Sequence, residues 1–172
     1  MFAKQAHTRA ACLLGLAAGL VALGCVEPQD QRPGLYVSGE VVSEPVTDWS
    51  FTDAVPEIYV ETRAWYLLPH SVTTHVVAVN GQLYVGSLYY GGGEFPDARP
   101  WNRNAVRNPN VRLKIGDKIY RRTAVHVTDP GEREAAFAAI AAKYERPWRG
   151  IFEQPEAERP PVHFFRMEPR AS

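Results

Sequence analysis

The segment Tyr89-Tyr90-Gly91-Gly92-Gly93-Glu94-Phe95-Pro96-Asp97-Ala98-Arg99-Pro100 concentrates residue types that hold a flat, charged molecule. Three consecutive glycines let backbone N–H groups approach a ligand closely, and a helix start just after them favours an anion. Arg99 and Arg103 flank that helix start, and Tyr89, Tyr90, Phe95 and Trp101 offer flat surfaces to a planar ring. Upstream, Thr74 and Ser87 bring hydroxyls to the end of an otherwise apolar hairpin face. The chemistry is therefore recognition of an anion attached to a ring. Each residue also has a plainer use. A glycine run is often only a flexible loop, Trp101 can simply dock the short helix, and most arginines are exposed.

No catalytic grammar accompanies these residues. G-x-S-x-G, H-E-x-x-H, a Walker loop and a complete dinucleotide fingerprint are all missing. His70 and His75 lie five apart, so an extended chain points them to opposite faces, which is poor spacing for a metal, and no metal site is assigned. Glu132, Arg133, Glu134 and Lys143 fit a solvated helix face. Trp49, Trp65 and Trp148 read as packing residues.

The elements that must position the site follow from periodicity. Alternating and β-branched runs predict strands over 58–62, 71–79, 82–89, 111–115, 118–128 and 161–167. Asn80-Gly81 is the strongest short hairpin signal, because a type I′ turn needs positive φ at both central residues. It pairs Val79 with Gln82, Val77 with Tyr84, Val76 with Val85 and Thr74 with Ser87. Both faces of that hairpin are apolar, which predicts helix packing or a dimer partner on the second face. A short helix covers 101–107 and stops at Asn108-Pro109. A longer one follows Asp129-Pro130, a cap with proline in the first turn, and carries an Ala-rich run over 132–144. The fold class is mainly β (α+β): a six-stranded antiparallel barrel with two outer helices.

The N-terminus sets an expected location. Lys4 and Arg9 precede a charge-free stretch, 10–24, that ends in Leu23-Gly24-Cys25 and gives way at once to polar residues. About 15 apolar residues fall short of the roughly 20 that span a bilayer. The Gly-Cys junction resembles the lipobox of bacterial lipoproteins, which implies removal of 1–24 and a lipid on Cys25. That reading gives a signal peptide (1–24), a Pro- and Gln-rich tether (25–48) and one domain (49–172), lipid-anchored in the cell envelope. The 1–24 stretch holds two of the 19 Lys and Arg and none of the 19 Asp and Glu, so the remainder is slightly acidic. With no basic run, nucleic acid is excluded as a partner.

Two longer runs carry a resemblance. Trp101-x-x-Asn104-x-x-x-Asn108-Pro109-x-Val111-x-Leu113-x-Ile115-Gly116 is followed by Tyr120-x-x-x-Ala124-x-x-Val127-Thr128-Asp129-Pro130-x-Glu132-Arg133. Together they resemble the flavin-binding split-barrel superfamily, nearest its deazaflavin-dependent nitroreductase-like branch. The resemblance implies a split barrel, a homodimer and a cofactor cleft, with FMN or a deazaflavin reducing quinones, nitro compounds or similar small molecules. By position it assigns cofactor contacts to Thr74, Ser87, Tyr89, Gly91, Gly92, Gly93, Arg99, Trp101 and Asn104. The branch also carries a basic G-R-K-[ST]-G-like segment that holds cofactor phosphate. Here that place is taken by 62–70, where Arg63 is the only fixed positive charge. Three readings stay open: a flavin- or deazaflavin-dependent reductase, an envelope lipoprotein that binds a planar or anionic ligand without turnover and needs no cofactor, and an interaction module with a vestigial cleft.

Overall fold

The computed structural model describes residues 27–29 and 32–170; the 1–24 stretch and Cys25 lie outside the described residues. Eight strands form one sheet: β1 (Glu40–Val41), β2 (Ile58–Arg63), β3 (Pro69–Thr74), β4 (Val76–Val79), β5 (Gln82–Leu88), β6 (Asn110–Ile115), β7 (Lys118–His126) and β8 (Val162–Pro169). Their order is β3-β2-β6-β7-β8-β5-β4, antiparallel throughout, with β1 added in parallel beside β7. Helices α1 (Pro100–Arg107), α2 (Pro130–Lys143) and α3 (Gly150–Phe152) pack around the sheet. Among the described residues no helix is long and apolar enough to cross a membrane.

Local chemistry explains the elements. In β6, Val111, Leu113 and Ile115 are buried while Arg112 and Lys114 alternate with them, the period of a half-covered strand. Asn80 and Gly81 have φ of 51° and 77°, as a type I′ turn requires, and the register Val79↔Gln82, Val77↔Tyr84, Val76↔Val85 follows. Asp129 accepts from the Glu132 N–H at 2.7 Å and caps α2.

Three expectations need correction. The sheet has eight strands rather than six, its ladder does not close into a barrel, and a third helix follows Trp148. One extra strand is β1, drawn from the Pro- and Gln-rich segment. The other arises because the predicted 71–79 strand breaks at His75. Before the break the chain pairs with β2, and after it with β5. Thr74 therefore sits opposite Ile58 on β2 rather than Ser87, and its Oγ1 donates to the Gly86 carbonyl at 3.0 Å.

Two apolar clusters divide the interior. Val60, Leu83, Val85, Leu113, Phe165 and Met167 fill the inner face with Trp101 and Ala105 of α1. On the other face Val77, Tyr84 and Phe164 pack under Phe137, Ile140 and Ala141 of α2, with Trp148 and Ile151. The second apolar face of the hairpin is thus covered by the chain's own helices. The segment before β1 also joins the fold. The buried Glu61 carboxylate accepts from the Val37 N–H at 2.9 Å and from Arg112 at 2.7 Å.

The break at His75 is sealed from α2. The Tyr144 hydroxyl accepts from the Val76 N–H at 3.2 Å and donates to the Val76 carbonyl at 3.0 Å, and Lys143 Nζ donates to the same carbonyl at 2.8 Å. Tyr144→Phe leaves the Val76 N–H, in a fully buried residue, without a partner. It is expected to cost about 1–3 kcal/mol and to speed amide exchange at Val76 selectively. Urea unfolding and hydrogen exchange measure both.

Candidate functional site

The break opens a cleft of about 830 Å³ between β3, β5, the N-terminus of α1 and Trp148. That volume suits a ring-bearing small molecule. Thr74, Ser87, Arg99 and Trp101 line it, joined by His70, Thr73, His75, Tyr90, Trp148 and Arg32. Trp148 is almost fully buried, Trp101 is 6% exposed and Tyr90 53%. The cleft therefore has two buried indoles in its wall and an exposed phenol at its rim.

The other residues assigned by sequence stand elsewhere. Gly91, Gly92 and Gly93 have φ of 80°, 82° and 98°, a left-handed path that side chains resist, but they do not line the cleft. They turn the chain so that Tyr90 and Arg99 face the cleft from either end of the loop. Tyr89 is buried behind the wall, where its phenol accepts from Asn102 Nδ2 at 2.7 Å. Asn104 is also buried. Its Nδ2 donates to Thr62 Oγ1 at 3.2 Å, and Thr62 in turn donates to the His70 carbonyl at 3.1 Å. It braces the β2–β3 hairpin and does not touch the cleft.

Sequence reading passed over Asn102. Its side chain is fully buried and donates to both Ser87 Oγ (2.9 Å) and Tyr89 Oη, fixing the orientation of the hydroxyl on the cleft wall. Its Oδ1 has no partner. The only clue in the sequence is a polar residue inside a Pro-Trp-Asn helix start, which is weak. His70 and His75 were expected on opposite faces, yet both line the cleft, because the strand that would have separated them ends at Thr74.

Fixed charge in the cleft comes from Arg32 and Arg99, opposed by Glu57. Arg99 Nη2 donates to the Leu88 carbonyl at 2.9 Å, so the guanidinium is held at the end of β5. Burial pushes the pKa of His70 and of His75 below the ordinary imidazole value, so both are neutral at pH 7. Nδ1 of His70, Oγ1 of Thr73 and Nε1 of Trp148 are buried without a partner. Unpaired polar atoms of this kind are uncommon in native interiors, and here three belong to residues that line the cleft, with the atoms themselves shielded from solvent. Among the described residues no group of three His, Cys, Asp or Glu is placed to hold a metal ion.

The loop is pinned by stacking. Phe95 lies 4.1 Å from the His126 ring and 4.3 Å from that of His163, at interplanar angles of 17° and 25°. The imidazoles share a contact at 3.3 Å between Nε2 of His126 and Nδ1 of His163. Burial first, then His126 and Arg133, pushes His163 down to about 4. Its ordinary value is 6.5, so between those limits the unfolded chain binds more protons. Stability is then complete above about pH 6.5 and declines as pH falls toward 4. His163→Gln is expected to flatten that decline, as measured by urea unfolding at stepped pH. An unchanged slope would show that His163 is not desolvated.

Neither a protein-family model nor a curated protein matches the chain. Solved structures do share its shape. HutZ, the heme storage protein from Vibrio cholerae, superposes with a TM-score of 0.52 at 15% identity, covering 71% of this chain and 87% of that one. An F420 reductase gives 0.51 at 16%, covering 74% and 97%. A structure described as a domain-swapped dimer gives 0.51 at 18%, covering 92% and 99%. At such identities the likeness is one of fold. The chain has an α+β split-barrel-like fold, in which an open, mainly antiparallel sheet is flanked by helices.

Proposed function

We propose that the cleft holds a flat cofactor of the flavin class, FMN or a deazaflavin, and that the protein reduces small molecules such as quinones or nitro compounds. The observation that carries this reading is a single cleft whose lining combines the Trp101 and Trp148 indoles, the hydroxyls of Thr74 and Ser87, and the two arginines Arg32 and Arg99. The residues fit the group. A tricyclic ring system would be held by the apolar lining of Val72, Leu88 and Trp101, and its polar edge would be met by the hydroxyls of Thr74 and Ser87. An attached phosphate or carboxylate suits Arg99 and Arg32. The F420 reductase of similar fold supports the same direction.

When bound, such a cofactor supplies hydride transfer. The chain's own part is orientation and exclusion of water. Asn102 fixes the Ser87 hydroxyl, and the Leu88 carbonyl fixes Arg99. His70 and His75, neutral through burial, accept a proton without first having to lose one. We further propose that 1–24 is removed, that a lipid on Cys25 tethers the domain to the envelope membrane, and that two copies pair. The domain-swapped dimer of similar fold supports the last point.

A second reading has its own observation. Neutral imidazole is the form that binds iron, and two such groups line the cleft. HutZ is described as a heme storage protein, so heme, planar and anionic, is the alternative ligand. One titration separates the readings. Protein from its native host, then titrated with FMN, a deazaflavin and hemin, is expected to bind the first or second with a perturbed flavin-type spectrum. A Soret band lost in His75→Ala would favour heme. Arg99→Ala is expected to weaken cofactor binding roughly tenfold or more, since a charge-assisted bond contributes about 1.5–3 kcal/mol. No spectral change with any of the three would refute both readings.

A further inference from the structure

The turn between β2 and β3 puts four large apolar side chains into solvent. Trp65 is 77% exposed, Tyr66 55%, Leu67 72% and Leu68 55%. Trp65 is thus not the packing residue expected from sequence. The turn is defined, not frayed. Leu67 N–H donates to the Ala64 carbonyl and Ala64 N–H to the Leu68 carbonyl, both at 2.9 Å, and the Trp65 and Tyr66 rings meet edge to face at 5.3 Å. Leu67 has φ of 66°, a left-handed conformation that a bulky side chain resists and that glycine or asparagine would adopt freely. A strained leucine held out in water breaks two local rules at once, with no gain inside the chain. Such sites are where function is expected.

The charge around the turn indicates what covers it. Residues 62–70 and α1 together hold Arg63, Arg103 and Arg107 and no carboxylate. All three arginines are exposed. Arg107 donates to the Arg63 carbonyl, which ties α1 and its half-exposed Val106 to the base of the turn. Aromatic and aliphatic side chains in front of arginines match the acyl boundary and headgroups of an anionic bilayer. There Trp and Tyr sit at the interface, and each nearby Lys or Arg adds to attraction. We propose that the 64–68 turn inserts into the interface of an anionic membrane. This does not depend on what the cleft binds.

The test follows Trp65 itself, using the full chain with vesicles of phosphatidylcholine and phosphatidylglycerol brominated on the acyl chains. Emission of Trp65→Phe is subtracted from that of the native chain to isolate Trp65. Expected are loss of the Trp65 component to bromine near the headgroup end, a blue shift, and a smaller loss in Arg63→Gln or when phosphatidylglycerol is left out. Because the apolar 10–24 stretch can hold the chain on vesicles by itself, quenching reports immersion of the turn rather than mere attachment. Leu67→Gly guards against misfolding: it is expected to raise the melting temperature by about 2–4 °C while reducing the quenching. The proposal is overturned if vesicle-bound protein shows unquenched Trp65. It is equally overturned if Trp65 is shielded without bromine quenching and Leu68→Asp halves the mass seen by light scattering, for then a second copy covers the turn.

Discussion

A buried strand must find partners for its backbone amides, and near His75 this chain runs out of them. The first half of the strand is committed to β2 and the second to β5, so that the two halves, β3 and β4, stand at opposite ends of the sheet order. The switch leaves Thr74, His75 and Val76 without a continuous ladder. Their groups are satisfied by other means: Thr74 Oγ1 on the Gly86 carbonyl, the Gly86 N–H on the His75 carbonyl at 3.4 Å, and Tyr144 with Lys143 on Val76. The last two come from the end of α2, 68 and 67 residues away. The cleft, the open sheet and the docking of α2 are one solution to one unpaired stretch of backbone.

That solution constrains the helix more than its composition suggests. Lys143 is not a solvated surface residue. Burial lowers its pKa, and its ammonium is spent on the Thr52 and Val76 carbonyls. Glu132 likewise leaves the solvated face to accept from Tyr84 Oη at 2.9 Å and from Arg166 at 2.6 Å. Gly86 completes the contact. A Cβ there would come within 3.0 Å of Ile140 and of Trp148, so a bare backbone at this point lets α2 and the cleft-lining indole close on the sheet. The wall of the site and the seat of the helix are the same residues, so packing changes in α2 should be felt in the cleft.

How much of this was legible follows from the range of each interaction. The Asn80-Gly81 hairpin, the Asp129-Pro130 helix start and the alternation in β6 are set within a few residues, and periodicity finds them. The break at His75 depends on partners far along the chain, so a run of β-branched residues reads as one strand. The sequence grouped Thr74, Ser87, Arg99 and Trp101, and the fold puts those four on one cleft. The resemblance assigned Asn104 through its Trp-x-x-Asn pattern, whereas Asn102, two residues earlier and so on another face of α1, holds the Ser87 hydroxyl. Trp65 misled for a related reason. A tryptophan is usually buried, and only the turn geometry shows that nothing in the chain covers this one.

The stretch 62–70 also bears on what the cleft can hold. Arg63 lies on the exposed end of β2 and does not line the cleft, so fixed positive charge there falls to Arg99 and Arg32, partly offset by Glu57. A charge-assisted bond from Arg99 contributes about 1.5–3 kcal/mol. Trp101 and Trp148 are almost fully buried, so they shape the apolar wall of the cleft but expose little ring face to it, and the fixed charges are what discriminate between molecules entering it. The neutral imidazoles sharpen that discrimination, since they leave the inner wall without a cation to attract a second acidic group. On those charges a molecule with a single acidic tail fits the cleft better than one carrying several phosphates.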